Sequence, residues 1–391
     1  MFGRIQDLLR DFFRKGDMCL LCLCLFCSLY GLVLIYSSTR YDPALHSLPM
    51  KQFVFLVMGL FIYVVLTMVD IELILEKSWK FLFAGGVILL LMLIPFGEAG
   101  GTGNRSWMFL PGLPVGLQPA ELVKVPFLLV LARIFEKNQE HGPSRPSSVF
   151  LVAGYTLLFA GLITVLSGDF GMVLVYLLLF VIMAWAAGLS WRWFALGFGM
   201  VGVLFGGIAV LASTSESFMR SYGYIIRRFT EVFTRDDPQG VGWQQTRSLL
   251  AIGSGQLTGQ GFLKGNLTQS IYETSLPARH TDEIFAVCGE EFGLIGCALV
   301  LALLIAIVLR CVWVAKCSRT PLSSYISLGI AGMILIQTTI NVAMCLYLFP
   351  VVGLTLPFFS YGGSSILTLY AAMGIVSGIR MRFLPSWLRN H

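Results

Sequence analysis

The chain has 391 residues, of which 57% are hydrophobic and only 12% charged, with a mean hydropathy of +0.80. That is more apolar surface than a soluble core of this length can hide, so a soluble globular fold is excluded and an integral membrane protein is indicated. The net charge of +6 comes without a basic stripe interleaved with aromatics, which argues against nucleic acid as a partner.

The apolar runs are long and do not alternate, so an all-α polytopic membrane protein is predicted rather than a closed barrel. Residues 1–16 carry Arg4, Arg10, Arg14 and Lys15 among Ile5, Leu8, Leu9, Phe12 and Phe13, a basic amphipathic segment suited to the inner membrane surface. The run that follows is too long for a signal peptide and lacks a small-x-small cleavage site, so it reads as a first span over 18–38. Further spans are predicted over 52–69, 80–97, 119–135, 148–166, 171–189, 192–212, 284–309, 322–349 and 364–380, about ten in all. Basic residues collect in alternate loops: Lys77 and Lys80, then Arg133, Lys137 and Arg145, then Arg192, then Arg310, Lys316 and Arg319, and finally Arg380, Arg382 and Arg389. The short loops between hold little beyond Arg40, Lys51 and Arg105. This asymmetry predicts that both termini are cytoplasmic. One domain, residues 1–391, is expected, with a large extracellular loop over 213–283. Within that loop a surface helix is predicted over 217–233 and a turn over 236–240.

The nine cysteines form no framework, and Cys22, Cys24 and Cys27 do not share a helix face as metal ligands would. Four constellations bear chemistry. Asp282, in "LPARHTDEIFAVCGEE" (276–291), stands where the loop re-enters an apolar helix: either Thr281 or Asp282 caps that helix, or Asp282 is a desolvated general base tuned by Arg279 and His280. Glu121 and Lys124, three residues apart, form either a buried ion pair or the wall of a polar cavity leading to Asp282. Glu290 and Glu291 are either structural polar contacts or a proton relay. The run Gly253, Gly255, Gly259, Gly261 and Gly265 is no P-loop; it either packs as loop or brings backbone close to an anionic head group beside Arg247 and Lys264. Arg105 with Trp107, and "LPFFSYGGSS" (356–365), could line the same outward groove.

Taken together these segments resemble the SEDS family of peptidoglycan glycosyltransferases, the RodA/FtsW/SpoVE group. "GNRSWMFLPGLPVGLQPAELVKV", "SGDFGMVL", "AIGSGQLTGQGFLKG", "LPARHTDEIFAVCGEEFGLIG" and "LPFFSYGGSS" match five of its motifs in order. The wording "NRSW", "GFLKG" and "RHTD" is nearer to the elongation, RodA-like branch. The resemblance implies polymerisation of lipid II at the outer face of the bacterial cytoplasmic membrane, release of undecaprenyl pyrophosphate, and a class B penicillin-binding protein as partner. It makes Asp282 the catalytic residue and places Glu121, Lys124, Arg105, Trp107, Arg247, Lys264 and His280 at the substrate. A divalent cation, Mg or Mn, would be the cofactor to offset pyrophosphate charge. A lipid-precursor flippase and an inactive scaffold for the penicillin-binding protein are the rival expectations. The chain departs from the family pattern at Ala120, Ser167, Gly168 and Ala278, and most consequentially at Glu283, where the family mostly has Phe.

Overall fold

The computed structural model describes residues 10, 12–98, 105–109, 116–139, 142–237, 239–240 and 242–382. Arg4 of the expected basic segment, residues 99–104 and 110–115 on either side of Trp107, and Arg389 lie outside the described residues.

The principal helices are α1 (Met18–Ser38), α2 (Leu48–Met68), α3 (Ile71–Leu91), α4 (Pro119–Gln139), α5 (Pro146–Ser167) and α6 (Phe170–Ala186). They continue as α7 (Trp191–Thr214), α8 (Glu216–Thr234), α9 (Trp243–Ser254), α10 (Ile284–Cys317), α11 (Pro321–Cys345) and α12 (Gly363–Met381). A two-stranded ribbon, β1 (Gly97–Glu98) with β2 (Trp107–Met108), precedes α4. Eight of the helices are long and apolar enough to cross a membrane. Two more complete the ten that the sequence predicts: α6 is apolar but only 17 residues long, and α4 carries Glu121, Lys124, Arg133, Glu136 and Lys137 yet is buried along most of its length. A helix shielded from lipid by its neighbours has no need to be uniformly apolar.

Helix starts are set by polar caps. Asp17, Asp169 and Thr320 accept the N–H groups of Leu20, Met172 and Ser323 at 3.1, 3.0 and 3.2 Å, donors that a helix end otherwise leaves over. Asp70 does the same for Leu73 and starts α3 at Ile71, nine residues before the predicted boundary. Lys77 and Lys80, expected in a loop, therefore ride on the early turns of α3.

The bundle closes around α4, α11 and α12. Gly59 of α2 lies under the Tyr370 ring of α12, while Gly329 and Gly332 of α11 meet Leu128 of α4 and Ile182 of α6. Small residues permit this approach, which is how helices gain packing where no water drives them together. By contrast, α7 has no buried residue. At the end of the bundle that holds the termini, the fully buried Asp17 receives Arg310 through Nε at 2.9 and 3.2 Å and Nη2 at 3.1 Å, with Arg380 at 3.7 Å, and so ties α1 to α10 and α12.

The opposite end carries the long loop. The surface helix predicted over 217–233 is α8, docked through Arg228 Nη1 on Val351 O (3.2 Å) and through Glu231, which accepts the Tyr347 hydroxyl at 3.0 Å. Beyond α9 the chain lies against α10, which is broken at Gly293 (φ 65°, ψ −162°). The break frees backbone groups that the loop then satisfies. Gln260 and Gly261 donate to the carbonyls of Glu290 and Glu291 at 2.9 and 3.0 Å, and Leu294 and Ile295 donate to those of Gln256 and Leu257 at 2.8 and 3.2 Å. Gly255 and Gly259 are required by this contact: a Cβ on Gly255 would stand 1.9 Å from Gly289 O, and one on Gly259 2.1 Å from Glu291 O. Of the two readings of the glycine run, these contacts are those of the packed loop.

Candidate active site

Three sequence motifs that are far apart in the chain converge where α10 begins. Ser360, from the "SYGG" turn, donates to Thr281 O at 2.6 Å, and Tyr361 N donates to His280 O at 2.9 Å. Four residues on, Ser364 Oγ accepts Gln118 N at 2.9 Å, and Thr368 Oγ1 donates to Glu121 O at 3.2 Å. The 360–368 stretch thus bolts the Asp282 segment to the start of α4. On the far side of α4, Leu117 exchanges backbone bonds of 2.8 and 2.9 Å with Met108, which registers the ribbon bearing Trp107 against the same corner.

Asp282 itself is half-buried. The capping alternative does not hold, because the cap position is Glu283 and no side chain caps there. Instead α11 fixes the Asp282 peptide: Asn341 Nδ2 donates to Asp282 O at 2.8 Å and to Leu354 O at 2.7 Å, and Cys345 Sγ reaches Asp282 O at 3.8 Å. Burial first, then the charges of Glu283 and Asp169, push the Asp282 carboxyl up to about 7. A carboxyl so placed is half ionised near neutrality, as a general base requires.

Asp169 is the residue that reading the sequence passed over. It caps α6 through Oδ1 and accepts Gln118 Nε2 on Oδ2 at 3.0 Å. Burial and then the charge of Glu121 push it up to about 6 against the Met172 N–H, Gln118 and Lys124, which favour its charged form. Its charge is felt by Asp282 on one side, and it feels the Glu121–Lys124 pair on the other, so the three motifs share one acidic cluster. The signal was present, since Asp169 follows Gly168 at positive φ (67°) between two apolar runs, where only a turn and a cap are expected.

Glu121 and Lys124 meet at 2.6 Å, both buried. The ion-pair reading holds. His280 has its Nδ1 buried without a hydrogen-bond partner, its ring 6.1 Å from that of Tyr361. Burial first, then Arg279, hold it below the ordinary histidine range, so it is neutral at pH 7. Arg279 is spent elsewhere. It is fully buried, donating to the carbonyls of Leu276, Leu267, Thr268, Ser270 and Tyr272 with its guanidinium 3.7 Å from the Tyr41 ring centre, and it holds the loop together.

The remaining basic candidates do not touch this cluster. Arg105 is exposed before the half-buried Trp107, and Arg247 lies over the Trp243 ring at 4.1 Å. Lys264 is exposed on the docked loop with its stem over Gly261. The relay reading of Glu290 and Glu291 is replaced by a structural one. Glu290 accepts Leu267 N (2.7 Å), Thr268 N (2.8 Å) and Thr268 Oγ1 (2.6 Å), while Glu291 accepts Ser37 Oγ (2.6 Å) and Gln269 Nε2 (2.9 Å). Glu290 is satisfied by the loop, and Glu291 by the loop together with Ser37 of α1. Among the described residues no three His, Cys, Asp or Glu side chains converge as metal ligands.

The fold defines a polytopic membrane protein with a cluster of acidic side chains at one end of its bundle. Residues 17–383 match the model of the FtsW/RodA/SpoVE family, described as cell cycle proteins, and the chain belongs to that family. Over 388 residues it is 31% identical to a probable peptidoglycan glycosyltransferase FtsW of Trichlorobacter lovleyi, covering 95% of this chain and 96% of the relative. Over 366 residues it is 31% identical to the peptidoglycan glycosyltransferase MrdB of Escherichia coli K12, 93% of each chain being covered. Among solved structures it resembles a chain from a peptidoglycan synthase complex that coordinates polymerization and crosslinking, with a TM-score of 0.77, 26% identity and coverage of 95% and 99%. It also resembles the rod shape determining protein RodA of Thermus thermophilus, with a TM-score of 0.67, 26% identity and coverage of 94% and 97%.

Proposed function

We propose that Asp282 is the general base for joining lipid-linked sugars at the loop end of the bundle, and that this end faces outward. The protein is a peptidoglycan glycosyltransferase of the cytoplasmic membrane. In the proposed step the acceptor sugar hydroxyl gives its proton to the Asp282 carboxylate as its oxygen bonds to the anomeric carbon of a second lipid II. The bond from that carbon to pyrophosphate breaks, and undecaprenyl pyrophosphate leaves with the electron pair. General-base help of this kind contributes about 10²- to 10⁴-fold.

What supports this reading is that three motif segments spend their hydrogen bonds on holding one half-buried carboxyl beside Asp169 and the Glu121–Lys124 pair. Lys124 and Glu121 would line the acceptor side. Arg105, Trp107, Arg247, Lys264 and His280 would meet the donor, the cations offsetting charge on the departing pyrophosphate. A divalent cation enters only as the counter-ion that such a pyrophosphate carries. A class B penicillin-binding protein is the proposed partner, since a chain of like fold belongs to a peptidoglycan synthase complex. A flippase would favour paired broken helices, whereas the break described here, in α10, is locked by a loop outside the membrane.

The test is glycan-strand formation from purified lipid II. Asp282→Asn, folded as judged by its thermal melt, is expected to lose polymerisation by two or more orders of magnitude. A folded variant that makes strands at the wild-type rate would overturn the assignment, and leaflet transfer of labelled lipid II without polymer would favour the flippase.

A further inference from the structure

Next to Asp282 stands a second carboxyl that the proposed reaction does not use. Glu283 is fully buried. Its side chain turns toward α9, where Oε1 accepts Gln244 Nε2 at 3.2 Å while Oε2 is buried without a hydrogen-bond partner. Ser248 of α9 and Cys345 of α11 lie against it, and both they and Gln244 favour its charged form. The titratable groups facing it are Asp282 on its own segment and the Cys345 thiol. From α9 come the neutral Gln244 and Ser248, and the cation of that helix, Arg247, is stacked on Trp243. A buried carboxyl supplied with three polar neighbours and no cation is costly to keep and easily replaced by an apolar side chain.

We propose that Glu283 is a positioning residue for the reaction, a buried carboxylate whose negative charge sets how tightly the adjacent Asp282 holds its proton. The inference rests on Asp282 being the general base. Two carboxyl groups on consecutive residues, in surroundings from which water is largely excluded, cannot both ionise at their ordinary pH. The one with three polar neighbours gives up its proton first, and its charge then defers ionisation of the other. Asp282 thereby enters the neutral range as a stronger base than an isolated aspartate. Glu283 also fastens α9 to the Asp282 segment through Gln244, which links the outward loop to the base.

The experiment is the pH dependence of kcat/KM for polymerisation of lipid II by the full-length protein with its penicillin-binding partner, compared for wild type, Glu283→Gln and Glu283→Phe. The Gln variant keeps the shape and removes the charge; the Phe variant removes both. Both are expected to move the acid limb of the profile down by roughly one pH unit. A limb that stays in place in both variants, or moves only with Phe, overturns the proposal, because packing and not charge would then be its role. Failure of the underlying reading looks different: Asp282→Asn would keep both its activity and its acid limb.

Discussion

A carboxyl group can act as a base near neutrality only if its surroundings hold its proton affinity up, and at Asp282 burial, Glu283 and Asp169 do so in that order. The sign follows directly. The base is the deprotonated form, which predominates above about 7, so kcat/KM should fall about tenfold for each unit of pH below that value. Stopped assays of strand formation from pH 5.5 to 8.5 measure it, and a flat profile would mean that another group takes the proton. Asp169 is the smallest of the three influences. Asp169→Asn is therefore expected to lower the limb by less than Glu283→Gln does, while also loosening Gln118, whose amide it holds at 3.0 Å. Asp282 was legible from the sequence because an acid at the edge of an apolar run is costly. Asp169 meets the same criterion but reads first as a helix cap, which it also is. The second role depends on α4 and α10 being brought alongside, and no local pattern encodes that.

Between elements, hydrogen bonds and close approach decide what packs where. The sequence shows five glycines between 253 and 265 and two acids at 290 and 291 as separate features; four of the glycines, Gly255, Gly259, Gly261 and Gly265, and the two acids are the halves of one joint. Glycine runs look alike whether they cradle a ligand or a helix, so the partner could not be read from composition. Gly259 sits at φ 81° with Glu291 O in the space of its missing Cβ. Gly259→Ala should therefore undock the loop, at a cost of about 1–3 kcal/mol. Limited proteolysis should then cut between 255 and 269 while α10 stays protected; unchanged protection would show that the joint is held by the glutamates alone. The Glu121–Lys124 pair responds differently. Lys124→Met leaves a buried carboxylate without its cation and should cost about 3–5 kcal/mol, whereas adding Glu121→Gln should recover much of that loss. Thermal melts in detergent of the single and double variants measure the coupling. Additive losses would mean that the two groups act independently despite their 2.6 Å contact.

Across the whole molecule, burial is distributed unevenly. Helices α11 and α12 are enclosed, α4 is enclosed and polar, and α7 offers a buried face to nothing among the described residues. The ten spans could be found in the sequence because length and apolarity alone mark a segment that lipid accepts. Their depth in the bundle could not be, since α7 and α11 look similar until packing separates them. Past Trp193 and Phe194, which pack on the bundle, every residue of α7 over 195–207 is exposed, so that stretch should report lipid all round. Spin labels placed singly at Val201, Val203, Leu204 and Phe205 of α7 should each be strongly relaxed by oxygen dissolved in the bilayer, with no 3.6-residue period in the effect. Labels at Leu335 and Ile336 of α11 should differ, since the first is exposed and the second buried. If instead the α7 labels show a helical period in liposomes holding this protein alone, one face of α7 is covered in the membrane by a neighbour. A period that emerges only when a class B penicillin-binding protein is added would place that protein against α7.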